Sequence, residues 1–279
     1  MQFYFRPILS ALLLLFISCE YLGDGDDESD DEPVVVPVTL YKTGNDDITT
    51  TPIGGVCMMG GRTENDNAMR WFLERAQGGD VLVMRASGSD GYNDYFYEEL
   101  VVTINSVETI VFEGATEDAS IIDKIDAAEA IWFAGGDQEK YIDYWKDNEI
   151  EVALQRAIDR NIVIGGTSAG MAILGEFVWT GVEIVTDFLT VPYLDNVITD
   201  THFSERDRME RLQGFITTTG ARGVAADEYT AICVDPDGLA SVYGEIEEDD
   251  IAFFITADLQ VTEVKGMPNG ENTFDLADW

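Results

Sequence analysis

Between residues 53 and 164 the chain repeatedly runs a short, mostly apolar segment into a helical or glycine-bearing one. No other feature constrains its fold as much. The apolar segments are 53–59, 80–84, 107–112, 130–134 and 162–164. A strand apolar on both faces must be covered on both faces. The intervening stretches supply the cover. Asn65 can cap a helix whose apolar positions are Met69, Phe72, Leu73 and Ala76, closed by Gly78-Gly79. Further helices are predicted over 119–128 and 150–160. Strands alternating with helices imply an α/β fold with a mostly parallel sheet, helices on both faces. The last sixty residues read as strand-rich, with turns at Pro236-Asp237-Gly238 and Pro268-Asn269-Gly270. In such a sheet ligands bind at the carboxyl ends of the strands. Three glycine loops fall at strand ends: Gly60-Gly61, Gly135-Gly136 and Gly165-Gly166.

The N-terminus has a different character. Residues 1–19 read as an export signal: Arg6 precedes an apolar run over 8–17, broken only by Ser10. That run is shorter than the ~20 residues a membrane span needs. It ends in Phe16-Ile17-Ser18-Cys19, which resembles a bacterial lipoprotein cleavage site. The expectation is an exported protein, lipid-anchored through Cys19 at the outer membrane or cell surface, with an ordinary signal peptide as the alternative. Residues 20–36 are expected to be an acidic, disordered tether, since eight of the thirteen residues over 20–32 are acidic. Residues 37–279 then form a single α/β domain.

The chain carries 54 acidic and 16 basic residues, a net charge of −38. Such a surface repels phosphate backbones and excludes nucleic acid as a partner. Keeping the protein soluble is the favoured reading of this charge over steering of cationic substrates. Cys57 and Cys233 sit in apolar runs and read as buried core thiols. With a single histidine and no ligand spacing, neither a metal site nor a cofactor is expected.

Gly166-Thr167-Ser168-Ala169-Gly170 is a G-x-S-x-G segment between a strand and a helical run over 171–176. That context is what a nucleophile elbow requires. Its flanking glycines allow the sharp turn, Ser168 projects from the apex, and the Ala169 N–H at a helix start can stabilise an oxyanion. The base for such a serine has one candidate, His202. It follows a strand-like Val197-Ile198, and Ser204 with Asp207 resembles a capping box opening the next helix. Arg206, Arg208 and Arg211 crowd the same stretch. They read either as surface ion pairs with Glu205, Asp207 and Glu210 or as a carboxylate-binding cluster.

Phe133-Ala134-Gly135-Gly136-Asp137-Gln138, the elbow, Asp200-Thr201-His202-Phe203 with its three arginines, and Asp227-Glu228-Tyr229-Thr230-Ala231 together resemble cyanophycinase, over about residues 53 to 245. That enzyme belongs to the serine peptidase family that includes aspartyl dipeptidases. The resemblance implies a flavodoxin-like fold similar to class I glutamine amidotransferases. It implies Glu228 as the acid orienting His202, with Asp187 and Asp195 as weaker candidates. It adds Gly136 to Ala169 as oxyanion donors, and it lines the substrate pocket with Gln138, Asp200, Arg206, Arg208 and Arg211. Thr201, where the family has Gln, lines the pocket too. Met171 replaces a small residue after the elbow, and both departures bear on the substrate. The implied substrate is a peptide containing aspartate, with the β-aspartyl-arginine polymer cyanophycin foremost and aspartyl or isoaspartyl dipeptides as alternatives. A catalytically silent surface binding protein is the reading from another class. A homodimer is entertained as the assembly, with membrane contact through the lipid anchor alone.

Overall fold

The computed structural model describes residues 38–245 and 250–279. The export signal, Cys19 and the acidic tether lie outside the described residues. Along the chain, β1 (Val38–Gly44) and β2 (Gly55–Met59) precede α1 (Asp66–Arg75) and β3 (Asp80–Arg85). The one-turn α2 (Gly91–Asp94) runs into a π turn at Tyr95–Glu99, followed by β4 (Ser106–Phe112), α3 (Ala119–Ala127) and β5 (Ala130–Phe133). Two helices, α4 (Gln138–Trp145) and α5 (Glu149–Asp159), lead to β6 (Val163–Thr167) and α6 (Ala169–Ala172).

Five of these strands, β4-β3-β5-β6-β2 in spatial order, pair in parallel. Side chains alternate across the pleat. Val81 and Val83 enter the same cluster as Met69, Phe72 and Phe96, whereas Leu82 and Met84 pack with Ile121, Tyr141, Trp145 and Leu154. Thus α1 and the α2 region cover one face, and α3, α4 and α5 cover the other. This is the flavodoxin-like α/β/α layering. Asn65 caps α1 by accepting from the Asn67 and Ala68 amides, as its position predicts.

The C-terminal part adds antiparallel structure. A small hairpin, β7 (Val178–Trp179) with β8 (Ile184–Val185), is followed by β9 (Val197–Asp200), α7 (Met209–Thr219) and β10 (Arg222–Ala226). The remaining strands are β11 (Ala231–Val234), β12 (Leu239–Tyr243), β13 (Ile251–Ile255), β14 (Val261–Lys265) and β15 (Asn272–Asp275). Strands β11, β12 and β15 extend the large sheet beyond β2, and β1 adds antiparallel to its other end. A second sheet, β14-β13-β10-β9, stands apart from it. The turn ahead of β12 uses Gly238 at φ +90°, and the one ahead of β15 uses Gly270 at φ +68°. Cys57 and Cys233 are register partners across β2 and β11, both buried, with their thiols 3.6 Å apart. No helix among the described residues is long and apolar enough to cross a membrane.

Three local expectations are corrected. Gly165 and Gly166 lie inside β6, because a Cβ at Gly165 would stand 2.5 Å from the Cys57 carbonyl oxygen of the neighbouring strand. The helix after the elbow stops at Ala172 instead of running over 171–176. There Thr199 of β9 donates to the Met171 carbonyl, and Gly175 packs so closely that a Cβ would meet the Val197 carbonyl oxygen at 2.7 Å. Ser204 and Asp207 form no capping box: α7 begins at Met209. Asp207 has φ +50°, which breaks helical continuity, and the Ser204 amide donates to Asp227 instead.

Candidate active site

The carboxyl ends of β5, β6 and β2 lie side by side, with Phe133 opposite Gly166 and Met58 opposite Gly166 in register. The Gly60-Gly61 and Gly135-Gly136 loops and the end of β6 therefore reach one rim, and Ser168 stands on it. Its backbone is at φ +50°, ψ −114°, a strained conformation outside the usual region for a non-glycine residue. The glycines two residues either side are sterically required. A Cβ at Gly166 would lie 2.5 Å from the Gly170 carbonyl carbon, and one at Gly170 would lie 2.0 Å from the Phe133 carbonyl oxygen. The Ser168 amide donates to the Met59 carbonyl at 3.0 Å, tying the elbow to β2.

The base and acid arrive from the second sheet. His202 lies just past the end of β9, and Glu228 just past β10, which pairs parallel to it. Gly60 and Gly61 join both to β2. The His202 amide donates to the Gly60 carbonyl at 2.9 Å, the Gly60 amide to the Thr230 carbonyl at 2.9 Å, and the Tyr229 amide to the Gly61 carbonyl at 3.1 Å. Gly61 has φ +125°, and a Cβ there would meet His202 Cε1 at 2.3 Å, so the imidazole rests directly on this residue.

Ser168 Oγ lies 2.8 Å from His202 Nε2, and His202 Nδ1 lies 2.7 Å from Glu228 Oε1. An ionised carboxylate only accepts, so Nδ1 carries the proton and donates to Glu228. Nε2 is then free to accept from the serine hydroxyl. Burial pulls the imidazole below its usual value. The bond to Glu228 opposes that, and the charges of Arg206 and Arg208 push it further down. Burial works against the Glu228 carboxylate, but hydrogen bonds from Arg62 and His202 outweigh it and hold the group below the usual range. The arrangement keeps the base neutral and the acid ionised around neutral pH, as nucleophilic catalysis requires. Asp187 and Asp195 stand elsewhere. Asp187 lines a depression beside α5, and Asp195 one beside Arg222 and Trp279.

A cavity of about 170 Å³ opens beside Ser168. Gly136, Gln138, Ala169, Asp200, Thr201, Arg206, Arg208 and Arg211 all line it. Asp200, nearly buried, is engaged by two of these arginines. Arg208 donates to its Oδ1 at 3.1 Å and to the Thr201 carbonyl at 2.7 Å, while Arg211 reaches both carboxylate oxygens. Of the two readings the sequence offers, the ion pairs with Glu205, Asp207 and Glu210 are not formed by Arg208 and Arg211, whose partner is Asp200. No carboxylate among the described residues pairs with Arg206. Three arginines against one carboxylate leave the cavity net positive. Gly136 lies two residues before α4, and Ala169 opens α6. Because α6 is a single turn, its macrodipole adds little; what Ala169 offers an oxyanion is a local amide.

Two site features carry no signal in the sequence. Trp179 forms part of the cavity wall, its ring packed against Phe215 at 4.9 Å between centroids, and Gln138 donates to its carbonyl. Arg62 donates to Glu228 from outside any recognised motif. Trp179 comes from a two-residue strand too short to show periodicity. Arg62 follows the Gly60-Gly61 loop directly, but nothing in the sequence links it to Glu228, 166 residues away.

Among solved structures, a peptidase from an acI-B1 Actinobacterium superposes with a TM-score of 0.62 at 13% identity, over 81% of this chain and 98% of that one. This likeness supports the fold. The cyanophycinase of Trichormus variabilis is 28% identical over 142 residues, covering 46% of this chain. The cyanophycinase of Synechococcus elongatus is 24% identical over 220 residues, covering 69% of this chain and 66% of its own length. The chain spans about half the length (47%) of the Trichormus relative. Residues 57–242, about two thirds of the chain, match the model of Peptidase family S51, and the chain belongs to that family.

Proposed function

We propose that this protein is a serine peptidase that hydrolyses peptide bonds involving aspartate, with cyanophycin, the β-aspartyl-arginine polymer, as its foremost substrate. The observation that carries the reading is the relay Ser168 Oγ–His202–Glu228, with both links under 3 Å. In this mechanism Ser168 Oγ attacks the scissile carbonyl as its proton passes to His202 Nε2. Glu228 stabilises the imidazolium so formed. The tetrahedral oxyanion takes hydrogen bonds from the Ala169 and Gly136 amides. Collapse expels the amine with the proton from His202, and water then releases the acyl group by the same steps.

The net positive cavity supports a substrate with an anionic group beside the scissile bond, and Arg206 is the guanidinium free to receive it. The names of the relatives support the polymer. The test is hydrolysis of cyanophycin and of a panel of aspartyl and isoaspartyl dipeptides by the wild type and by Ser168→Ala. The variant should lose at least ~10³-fold while remaining folded. Hydrolysis surviving in Ser168→Ala would move the nucleophile elsewhere, and failure on every aspartyl substrate would remove the specificity.

Export and lipid anchoring through Cys19 belong to the same reading, supported by the apolar run that ends at Ser18-Cys19. Cys19→Ala should release the protein from the membrane fraction. Unchanged fractionation would remove the anchor.

A further inference from the structure

We propose that Arg62 is a positioning residue that locks the carboxylate of Glu228 in the orientation His202 needs. The proposal rests on the Ser168–His202–Glu228 reading above. Arg62 Nε donates to Glu228 Oε2 at 2.6 Å, the oxygen that His202 does not use, while Oε1 accepts from His202 Nδ1 at 2.7 Å. A glutamate held by one oxygen can swing on its long side chain. One held at both oxygens, by the imidazole N–H on one and the guanidinium on the other, cannot swing without breaking a charge-assisted bond. The Arg62 side chain is 63% exposed and that of Glu228 12%, so the guanidinium covers the carboxylate on its solvent side.

The backbone explains how Arg62 reaches this place. Gly60 and Gly61 are zipped to Thr230 and Tyr229, so residue 62 emerges beside residue 228. Arg62 itself has φ +69°, a left-handed conformation uncommon for arginine, which follows the turn that seats Gly61 beneath the imidazole. The loop that supports the base from below thus sends its next side chain to the acid.

The electrostatic surroundings make a cation here consequential. Glu228 faces His202 and Arg62, and its own amide donates to Glu205 Oε1 at 3.0 Å, which brings a second carboxylate close. Asp227 and Tyr229 flank it along the chain, and Arg206 and Arg208 act on the imidazole from the cavity side. Arg62 lies in the field of both carboxylates, Glu228 first and Glu205 after it. Without it, Glu228 turns more readily from His202. A carboxylate turned away no longer favours the imidazolium, so the imidazole becomes less basic.

The experiment measures the rate at which a fluorophosphonate probe labels Ser168, from about pH 4 to pH 9, in the full chain and in Arg62→Ala, Arg62→Lys and Ser168→Ala. Arg62→Ala should label about 10-fold more slowly, a loss short of the ~10² typical of a misplaced reacting group. Its acid limb should move downward by up to about one pH unit, as the contact with Glu228 that favours the imidazolium is lost. Arg62→Lys should recover most of the rate, because a cation again faces Oε2. Wild-type rate and limb in Arg62→Ala overturn the proposal. So does a slower rate with an unmoved limb and no rescue by Lys, which would mark a merely structural residue. On a hydrolysed substrate, a raised KM with unchanged kcat in Arg62→Ala would assign Arg62 to substrate and also overturn it. Labelling of Ser168→Ala at the wild-type rate is a different failure, that of the triad itself.

Discussion

The nucleophile half of the site and the base–acid half are built in opposite ways. Ser168 sits on a turn made by five consecutive residues, clamped inside the sheet: Gly166 against Gly170, Gly170 against the Phe133 carbonyl, and the Ser168 amide on Met59. His202 and Glu228 lie on separate loops of the second sheet, joined to the first by hydrogen bonds through Gly60 and Gly61. Residues 204–207 around the base are exposed, whereas those around the elbow are buried. Local sequence and core packing fix the nucleophile. Contacts between residues far apart in the chain fix its activators. The difference teaches where stability and activity separate: damage to the elbow reaches the core, and damage to the activators falls mainly on chemistry.

Gly170→Ala should give the largest effect that tests this contrast. The added methyl would stand 2.0 Å from a backbone oxygen of β5, which cannot rotate aside. A cost above ~3 kcal/mol is expected, with activity and fold lost together. Thermal unfolding and probe labelling measured on the same sample check it. A variant with normal Tm would show that the elbow is not continuous with the core.

Gly61→Ala is the counterpart on the other side. Its methyl would meet the imidazole of His202 at 2.3 Å, and its φ of +125° disfavours any side chain. Backbone strain costs about 1–2 kcal/mol of stability. Displacement of the ring from Ser168 should cost about 10²-fold in kcat. The comparison fails if this variant unfolds as readily as Gly170→Ala, or if its kcat is untouched.

The same division decides what can be read from the chain. The elbow is legible because its strand, its glycines and its serine are contiguous, and the parallel strands announce themselves as mostly apolar runs. His202 could be singled out because it is the lone histidine. Glu228 could not be chosen among 54 acidic residues by pattern, and its place came through resemblance to a family. Arg62 was invisible, because its partner lies 166 residues away. The short α6 and the absent capping box have one cause. Thr199 takes the Met171 carbonyl and Asp227 takes the Ser204 amide, so tertiary partners replaced the helical ones that local propensity favours. The second sheet was hidden for a related reason: β9 and β10 pair across α7, and nothing in their composition says which sheet they join.

The smallest expected effect, and the most discriminating within the base half, is the position of the acid limb of kcat/KM. His202 must be neutral to take the proton of Ser168. Burial, aided by Arg206 and Arg208, lowers its pKa from the ordinary value of about 6.5, so the limb should lie below that value. The sign then separates the neighbours. Arg206→Ala removes a positive charge that disfavours the imidazolium, so the limb should rise, by less than about one unit because the guanidinium is solvated. Glu228→Gln removes the hydrogen-bonded anion that favours the imidazolium, so the limb should fall while kcat drops. Gly170→Ala, in whatever fraction remains folded, changes no charge near the ring and should leave the limb where it is. Measuring kcat/KM against pH for the three variants tests the division directly. A limb that moves with the elbow and not with Arg206 or Glu228 would mean that the titrating group belongs to the nucleophile side, and that the two halves of the site are not electrostatically distinct.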